Sequence, residues 1–457
     1  MKITKNHLAV ACLSTLLAAC GGDSDSNNDN DNQVSSYVRV LHASPDAPNV
    51  DVLVDGNAVL TNVAFQQGSG YLQLDSGRRN VKVRVNGTDT IVLDENFSLG
   101  ENGYYSVIAQ GLVASAVDSE TELELEVIDD TENRNNGVND VTVVHAAPSA
   151  GNVNVFVTAD GVELPTNAGE LANFEFDDDE TLTSIASGDY QVRITGVNSP
   201  DVVYNSSTLP VATDVTAVAV KSTKGVSPVS LLIWADSQTP VTPVLDATAE
   251  VRIVHAVDAV DVDVFAGGNE LLSDFSYKDA TGYVVVASGE LPVAIAPADQ
   301  DIGNAIPTLS GKLPLKRGES YTVIAAGDAT KNQLIVLNDQ REVSAAGKAD
   351  VRLVHAAAAS AADPVDIYVA ATGADISNNE PTFADVIIGQ DTGYTALEGT
   401  TAYQVVIAAD NTTAPAITGL DNVTFGADSV TTAIAIGNAS GLDKIILDDE
   451  RTVQMKR

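Results

Sequence analysis

Short runs in which apolar and polar residues alternate extend along most of this chain, and turn-forming residues separate them. Residues 50–54 (VDVLV) and 81–85 (VKVRV) are typical. Alternation with a period of two residues, rich in β-branched side chains, predicts strands with one buried face. After the first 20 residues no segment of helix length has a convincing helical period. The pattern therefore predicts an all-β protein.

One phrase of six residues occurs four times. The copies start at residues 38, 141, 251 and 351 and read VRVLHA, VTVVHA, VRIVHA and VRLVHA. Their histidines lie about 100 residues apart, which is the size of an ordinary domain. The chain is thus predicted to contain four tandem modules, at residues 37–137, 138–248, 249–348 and 349–457.

Each module repeats the same order of predicted strands. A second alternating run follows the histidine phrase, and a closing strand ends the module at acidic residues. A Gly-Tyr strand lies between them in modules one, three and four, whereas module two has no clear counterpart. About seven short strands in about 100 residues favour a sandwich of two sheets.

The first 19 residues are typical of an export signal. Two lysines precede an apolar run at residues 8–19, which is too short to span a membrane as a helix. The run ends in LAAC at residues 17–20, which resembles the bacterial lipobox. That resemblance implies cleavage before Cys20 and acylation of its thiol. Since each buried methylene of an acyl chain contributes about 0.8 kcal/mol, Cys20 is expected to anchor the protein to a membrane that it does not cross.

Residues 20–36 are predicted to form a flexible acidic tether. Residues 21–36 contain four aspartates and one apolar side chain, Val34, so they cannot bury enough surface to offset the entropy of ordering. Gly21 follows the cysteine, whereas an aspartate there resembles the inner-membrane retention signal of Gram-negative lipoproteins. We therefore expect an outer-membrane lipoprotein that faces the periplasm or the cell surface.

The charge balance narrows the choice of partners. The chain carries 24 lysines and arginines against 63 aspartates and glutamates, a formal net charge of −39. Such a surface repels phosphate backbones, which argues against nucleic-acid binding. It is compatible with cationic partners and with divalent ions.

Two runs of carboxylates leave calcium open as a cofactor. They are residues 177–180 (DDDE) in module two and 299–301 (DQD) in module three, and neither recurs in the other modules. Oxygen ligands on loops suit calcium, but adjacent carboxylates are also typical of a solvated loop. No phosphate loop or dinucleotide fingerprint is present, so no other cofactor is expected.

The first module resembles a known family. Residues 38–56 (VRVLHASPDAPNVDVLVDG) are similar to the start of the bacterial domain of unknown function 4397, and the later strands extend the resemblance to about residue 449. Modules two to four keep Val-x-x-x-His-Ala but lose most of Ser-Pro-Asp-Ala-Pro. The resemblance implies a β-sandwich of immunoglobulin-like or transthyretin-like type and a role at the cell surface. It supplies no catalytic motif.

The repeated histidine is predicted to have a structural role. A buried imidazole needs a hydrogen-bond partner, and the second strand of each module offers an Asp or Asn for it. The predicted pairs are His42 with Asp51, His145 with Asn154, His255 with Asp263, and His355 with Asp366. No serine or cysteine recurs beside them, and one histidine without a thiol cannot hold zinc, so we expect neither a catalytic nor a metal site there.

The sequence favours a non-enzymatic surface lipoprotein whose tandem sandwiches form a stalk or an adhesin-like array that binds an unknown protein or glycan. The alternative is a carbohydrate-binding or polysaccharide-handling lipoprotein. A sugar platform would need exposed aromatic side chains, and Trp234 and Tyr368 are the candidates. A hydrolase that depends on His42 is a third hypothesis.

Overall fold

The structure is a computed structural model. It describes residues 34–451 except for residues 118, 132–137, 165–170, 226, 236–240, 259, 359–363, 418–419 and 439–440. The leader, Cys20 and most of the predicted tether therefore lie outside the described residues.

Eight strands of module one form two four-stranded sheets. The strands are β1 (Ser35–His42), β2 (Val50–Val54), β3 (Asn57–Val63), β4 (Leu72–Asp75), β5 (Gly77–Val85), β6 (Ile91–Leu99), β7 (Tyr104–Gln110) and β8 (Glu124–Asp129). One sheet has the order β4-β1-β7-β8 and the other the order β3-β2-β5-β6. Strands β1 and β7 pair in parallel, and the other neighbours are antiparallel.

The other modules repeat this arrangement. Module two consists of β9 (Asn139–His145), β10 (Val153–Ala159), β11 (Leu171–Phe174), β12 (Asp179–Ile185), β13 (Gly188–Gly196), β14 (Val202–Val211), β15 (Val215–Lys221), β16 (Val229–Ala235) and β17 (Thr242–Val244). Module three consists of β18 (Thr248–Asp258), β19 (Val262–Ala266), β20 (Asn269–Phe275), β21 (Val284–Ala287), β22 (Gly289–Pro297), β23 (Gly311–Leu315), β24 (Ser320–Asp328) and β25 (Asn332–Asp339). Module four consists of β26 (Lys348–His355), β27 (Val365–Ala371), β28 (Phe383–Val386), β29 (Asp391–Glu398), β30 (Ala402–Ala409), β31 (Val423–Thr424), β32 (Ser429–Asn438) and β33 (Gly441–Asp448).

The sheets confirm an all-β chain of tandem sandwiches. Each module has eight or nine strands rather than about seven. In an immunoglobulin sandwich the first two strands share a sheet, whereas here β1 and β2 lie in opposite sheets, so the transthyretin-like arrangement is the one of the two that fits. Apart from two short 3₁₀ turns, Ile302–Asn304 and Pro307–Leu309, the described residues contain no helix, and none could cross a membrane.

Every module encloses its own hydrophobic core between its two sheets. In module one the alternation of β1 turns Val38 and Val40 into this core, while Arg39 and Leu41 point to the other face. The predicted strands thus bury the face that the alternation selects.

A second kind of core lies between modules. The outer face of the sheet that holds the histidine phrase packs against the same sheet of the neighbouring module. Between modules one and two it buries Leu41, Ile108, Val144, Leu232 and Trp234. Between modules three and four it buries Val254, Ile324 and Val354, which are equivalent to Leu41, Ile108 and Val144, and also Ile434. The phrase strands are therefore buried on both faces, and the modules form two pairs, which we call pair 1–2 and pair 3–4.

The two pairs meet through polar contacts. Arg317 of module three donates to the main-chain oxygens of Ser206 and Leu245 in module two, the latter at 2.8 Å. Lys224 forms an ion pair with Glu319 at 2.7 Å. This junction has no apolar cluster comparable to those inside each pair among the described residues.

Candidate functional site

The arginine of the histidine phrase is the central residue of each module interface. Arg39, Arg252 and Arg352 are only 2–3% exposed and project from the outer face of the phrase strand toward the neighbouring module. A guanidinium in such a position must find partners for its donors, because an unpaired buried charge is costly.

In pair 3–4 the partners are reciprocal. Arg252 of module three donates to a carboxylate oxygen of Asp449 at 2.5 Å and to the main-chain oxygen of Asp448 at 3.0 Å. Arg352 of module four donates to Asp339 at 2.5 Å and to the main-chain oxygen of Asn338 at 2.9 Å. Each arginine thus reaches the end of the closing strand of the other module, and the contact has approximate twofold symmetry.

Each of these carboxylates is also held by its own module. The phenol of Tyr283 and the hydroxyl of Thr322 donate to Asp339 at 2.7 and 2.6 Å. Tyr394 at 2.7 Å and Thr432 donate to Asp449 in the same way. The four-residue group of Arg, Tyr, Thr and Asp is therefore fully connected across the interface.

The tyrosines of this group also support the arginines. The guanidinium carbons of Arg252 and Arg352 lie 4.7 and 4.6 Å from the ring centres of Tyr283 and Tyr394. Burial raises the pKa of both phenols, so they remain protonated donors. Burial also raises the pKa of Asp449, while the nearby Arg252 charge opposes that shift.

In pair 1–2 a single arginine of the phrase, Arg39, reaches across the interface. The guanidinium carbon of Arg39 lies 4.2 Å from the ring centre of Trp234. Arg39 donates to the main-chain oxygens of Trp234 at 3.2 Å and Ala235 at 3.0 Å, and to Thr216 at 2.9 Å. Module two has Thr142 in place of the arginine and Thr181 in place of the tyrosine, and their hydroxyls lie 2.9 Å apart. Module two therefore lacks both the charge and the ring.

The predicted pairing of His42, His145 and His255 with Asp51, Asn154 and Asp263 is wrong. His42 bonds through Nε2 to the main-chain oxygen of Pro48 at 3.2 Å, and its Nδ1 accepts from the Ser44 N–H at 3.3 Å. His145 and His255 make the equivalent main-chain bonds, and Nδ1 of His355 accepts from the Ala357 N–H at 3.4 Å. The imidazoles of His42, His145 and His255 each close the turn that follows their own strand, since that turn brings main-chain groups closer than the next strand does. Burial lowers the pKa of His42, His145 and His255.

The second-strand acids have a different structural role. Asp51 accepts from the N–H of Asn62, which has a left-handed backbone with φ of 55°. Asn154, Asp263 and Asp366 accept in the same way from Asn173, Asp274 and Asp385, with φ of 51–55°. A register shift occurs at this point in every module, so the side chain holds a β-bulge.

Asp51 alone among these second-strand residues forms an ion pair in the described part of the chain, with Arg84 at 2.8 Å. Hydrogen bonds from Asn86 and Arg84 lower the pKa of Asp51 to about 2. Its carboxylate therefore stays ionised throughout the range in which the histidines titrate.

Comparison with known proteins identifies the repeat. The sequence matches the family described as "Domain of unknown function (DUF4397)" at residues 36–156 and 249–368, more than half of the chain. The chain belongs to the DUF4397 family. Comparison with curated proteins gave no match.

Two solved structures are among those similar to this DUF4397 protein. One is CBMbc, a family CBM26 module from Eubacterium rectale Amy13K in complex with maltoheptaose, with 14% identity, 46% of this chain and 98% of the other covered, and a TM-score of 0.15. The other is BcpA, the major pilin subunit of Bacillus cereus, with 8% identity, 65% and 99% covered, and a TM-score of 0.13. Likeness at this level supports no statement about function.

The predicted calcium segments do not bring together a set of ligands in the described structure. One group of three acids there could share an ion, and it lies in module four: Asp366, Asp385 and Asp410, with ligand atoms within 4.8 Å of one another. Both oxygens of Asp366 already accept main-chain N–H groups, from Asp385 and Asn411. A run of adjacent acids in the sequence could not predict this group, because the β-bulge and a turn distant along the chain bring its three members together.

The two aromatic residues proposed for a sugar platform are buried. Trp234 is 1% exposed and Tyr368 is 6% exposed, so neither can stack on a sugar. A different aromatic cluster lies in module one, where the rings of Tyr37 and Tyr104 stack at 4.6 Å and Tyr71 meets Tyr104 edge-on at 5.3 Å. These three tyrosines are half-buried.

The interface arginines were not predicted from the sequence, although a signal was present. The arginine recurs at one position in three of the four phrases, inside a run that is otherwise apolar. The same three modules carry the Gly-Tyr pair, and module two lacks both. The joint loss of Arg and Tyr in one copy is what a direct contact between the two side chains would produce.

Proposed function

We propose that this DUF4397 protein is a non-enzymatic, membrane-anchored surface lipoprotein whose four sandwiches act as a stalk or adhesin-like binding array. The observation that carries the proposal is the buried contact between modules. Arg39, Arg252 and Arg352 fix the orientation of the two modules within a pair. A rigid stalk or an array that presents a ligand-binding surface requires such fixed orientation, whereas a string of flexibly linked enzymes does not.

The chemistry of the repeated residues supports a non-enzymatic role. Both ring nitrogens of His42 bond to main-chain groups, and burial lowers its pKa, so the imidazole is neutral and has no free position for a substrate. The buried carboxylates of Asp339 and Asp449 are occupied by Arg, Tyr and Thr side chains. The polar groups of the repeat thus stabilise the turns and the contacts between modules.

The anchor part of the proposal rests on Cys20 and the preceding LAAC segment. Cells that express the chain and are fed labelled palmitate should incorporate the label, and Cys20→Ser should abolish incorporation and leave an uncleaved or soluble form. Incorporation that persists in Cys20→Ser would overturn the anchor. Protease accessibility on whole cells then distinguishes the cell surface from the periplasmic face of the outer membrane.

The binding part of the proposal is tested on the acylated protein in its native membrane. Chemical cross-linking and capture should recover a specific surface protein or glycan, and cells with the wild-type chain should adhere to it better than cells with Cys20→Ser. A panel of hydrolase substrates should give no turnover. Turnover that His42→Ala abolishes, while the variant remains folded, would favour an enzyme instead.

Carbohydrate binding is the second candidate function, and the tyrosine cluster of module one favours it. Stacked, half-exposed rings are the kind of platform that sugars use. If this is the function, a glycan array should give binding that Tyr37→Ala and Tyr104→Ala remove, whereas Tyr190→Ala in module two should leave it unchanged. Binding that is insensitive to Tyr37 and Tyr104 would argue against this platform.

A further inference from the structure

Module four differs from modules one and two in having a large cavity between its sheets. The cavity has a volume of about 390 Å³, against about 20 and 30 Å³ for the cavities in the cores of modules two and one. Protein interiors are normally packed to the density of organic crystals, so a void of this size between the sheets of a repeat needs an explanation.

The first cause is the loss of large side chains on one strand. Where β7 has Tyr105 and Val107 facing the core of module one, the equivalent positions on β32 are Thr431 and Ala433. Module three keeps Tyr321 and Val323 at these positions. Module two also has a small residue there, Ala217, but a buried tyrosine from β14, Tyr204, belongs to the core that its sheets enclose. Module four therefore has small side chains at both of these core-facing positions of β32.

The second cause is a short edge strand. Strand β31 has two residues, whereas its equivalents β6, β14 and β23 have nine, ten and five. Ile446 of β33 lies on the core-facing side of its strand and lines the cavity, and it is 52% exposed, against 40% for Val336 at the equivalent position of module three. Within the described residues, the cavity is open to solvent beside Ile446.

The lining indicates the class of ligand. The inner wall consists mainly of aliphatic side chains, including Val365, Ile367, Val405 and Ile407, together with the rings of Phe425 and His355. Polar groups such as Ser429, Lys444, Asp448 and Glu450 join the lining on the side of the exposed strand ends. The volume falls in the range of small-molecule sites, about 300–1,000 Å³. A wall made mainly of aliphatic groups is a poor surface for sugar stacking but a good one for methylenes.

We propose that this cavity is a binding site for the aliphatic chain of a neutral amphiphile, whose polar end lies at the mouth. Apolar cavities tend to stay dry and accept apolar ligands, because water there lacks hydrogen-bond partners. The two carboxylates of Asp448 and Glu450 against the single charge of Lys444 disfavour an anionic end group. This inference goes beyond the array function proposed above and does not depend on it.

The test uses the chain from residue 21 to residue 457, which keeps all four modules and carries no acyl group that would require detergent. Dodecanol is titrated into the protein and the heat is measured. We expect saturable binding at one site per chain. Absence of saturable binding would overturn the proposal.

Two kinds of variant locate the site. Thr431→Tyr with Ala433→Val restores the side chains of modules one and three, and should weaken dodecanol binding at least about tenfold. The melting temperature should stay the same or rise, since the substitution fills a void. Binding that survives in this folded variant would place dodecanol elsewhere and refute the assignment.

A second variant avoids the core in case the first does not fold. Ile446→Asp places a charge at the exposed mouth and should also weaken binding about tenfold. The matched control is Val336→Asp, since Val336 occupies the equivalent exposed position on β25 of module three. Equal loss of binding in both aspartate variants would refute a site in module four.

Discussion

The two module pairs build equivalent interfaces from different chemistry. Pair 3–4 crosses its interface with two arginines, each bonded at 2.5 Å to an aspartate of the other module. Pair 1–2 crosses it with Arg39 alone, which stacks on Trp234 and donates to main-chain oxygens. On the other side the positions of Arg and Tyr have become Thr142 and Thr181.

This difference shows which contacts both interfaces share and which contacts only one of them has. Both pairs keep the apolar cluster of small and branched side chains at the centre of the contact. Among the described residues of pair 1–2, no reciprocal Arg-Asp ion pairs cross the interface, and the ring of Trp234 covers the guanidinium of Arg39 instead. We infer that apolar burial provides most of the association energy and that the Arg-Asp contacts fix the register of the two sheets.

The largest effect should come from separating the members of a pair. A cut between residues 137 and 138 exposes Leu41 and Ile108, which are 0% exposed in the pair, and each such side chain contributes roughly 1.5–3 kcal/mol when buried. Module one alone should therefore melt well below pair 1–2, or aggregate. A cut near residue 248 passes through a polar junction and should cost little. Calorimetry of the fragments checks both, and a single module as stable as its pair would contradict the shared core.

The next effect concerns the arginines themselves. Arg252→Met keeps the side-chain volume but leaves Asp449 buried without its cation, so we expect a loss of about 3–5 kcal/mol in pair 3–4. Arg39→Met removes the donor to two main-chain oxygens and two hydroxyls, and a longer ion pair of 3.8 Å with Asp130. Asp130 keeps the donors Tyr71 and Ser106, so pair 1–2 should lose less, about 1–3 kcal/mol.

The single tryptophan makes this comparison measurable. Trp234 lies in the interface of pair 1–2, so its fluorescence follows the unfolding of that pair by denaturant, while amide exchange follows pair 3–4. Lys312→Ala removes an exposed ion pair and serves as the control, with an expected change below about 1 kcal/mol. Equal losses for Arg39→Met and Arg252→Met would mean that the two interfaces do not differ as described.

Introducing the arginine and tyrosine of the other modules into module two tests the comparison further. Thr142→Arg alone should destabilise pair 1–2, because the new guanidinium lacks the ring that supports Arg252 and Arg352. Thr181→Tyr added to it should recover part of the loss, with a coupling of about 0.5–3 kcal/mol between the two changes. A double-mutant cycle read by Trp234 fluorescence gives this value. Strict additivity would refute the idea that Arg and Tyr were lost together because they touch.

The smallest effect should be a pH dependence that both pairs share. Burial lowers the pKa of His42, His145 and His255 in the folded protein. In the unfolded chain these histidines become protonated near the ordinary histidine pKa of about 6.5. Below that pH the unfolded state binds more protons than the folded one, so stability falls as the pH decreases toward the folded-state pKa. Denaturation between about pH 7.5 and about pH 5.5 should reveal this slope.

The histidine variants identify the source of the slope. His42→Gln should flatten the slope reported by Trp234, and His255→Gln should flatten the slope of pair 3–4. Unchanged slopes in both variants would assign the pH dependence to other groups.

Much of the fold could be predicted from the sequence, because strands with one buried face leave a period of two residues in it. That period located the strands, and the recurrence of VRVLHA and its relatives counted the modules. The imidazoles at His42 and its equivalents were rightly expected to bond within their own module, but to the wrong partner. An Asp or Asn one strand away is visible in the sequence, whereas the main-chain oxygen of Pro48 becomes a partner only after the turn has closed.

The sequence by itself determined the all-β modules, their number and the acidic character of the surface, since these depend on local periodicity, repetition and composition. Only the tertiary structure decided that the modules associate in pairs, that Arg252 reaches Asp449 in the next module, and that module four contains a cavity. The physical reason is distance along the chain. The second buried face of β1, the partner of a buried charge and the volume left by Ala433 all depend on residues that meet only when separate sheets pack, and no local pattern encodes which sheets those are.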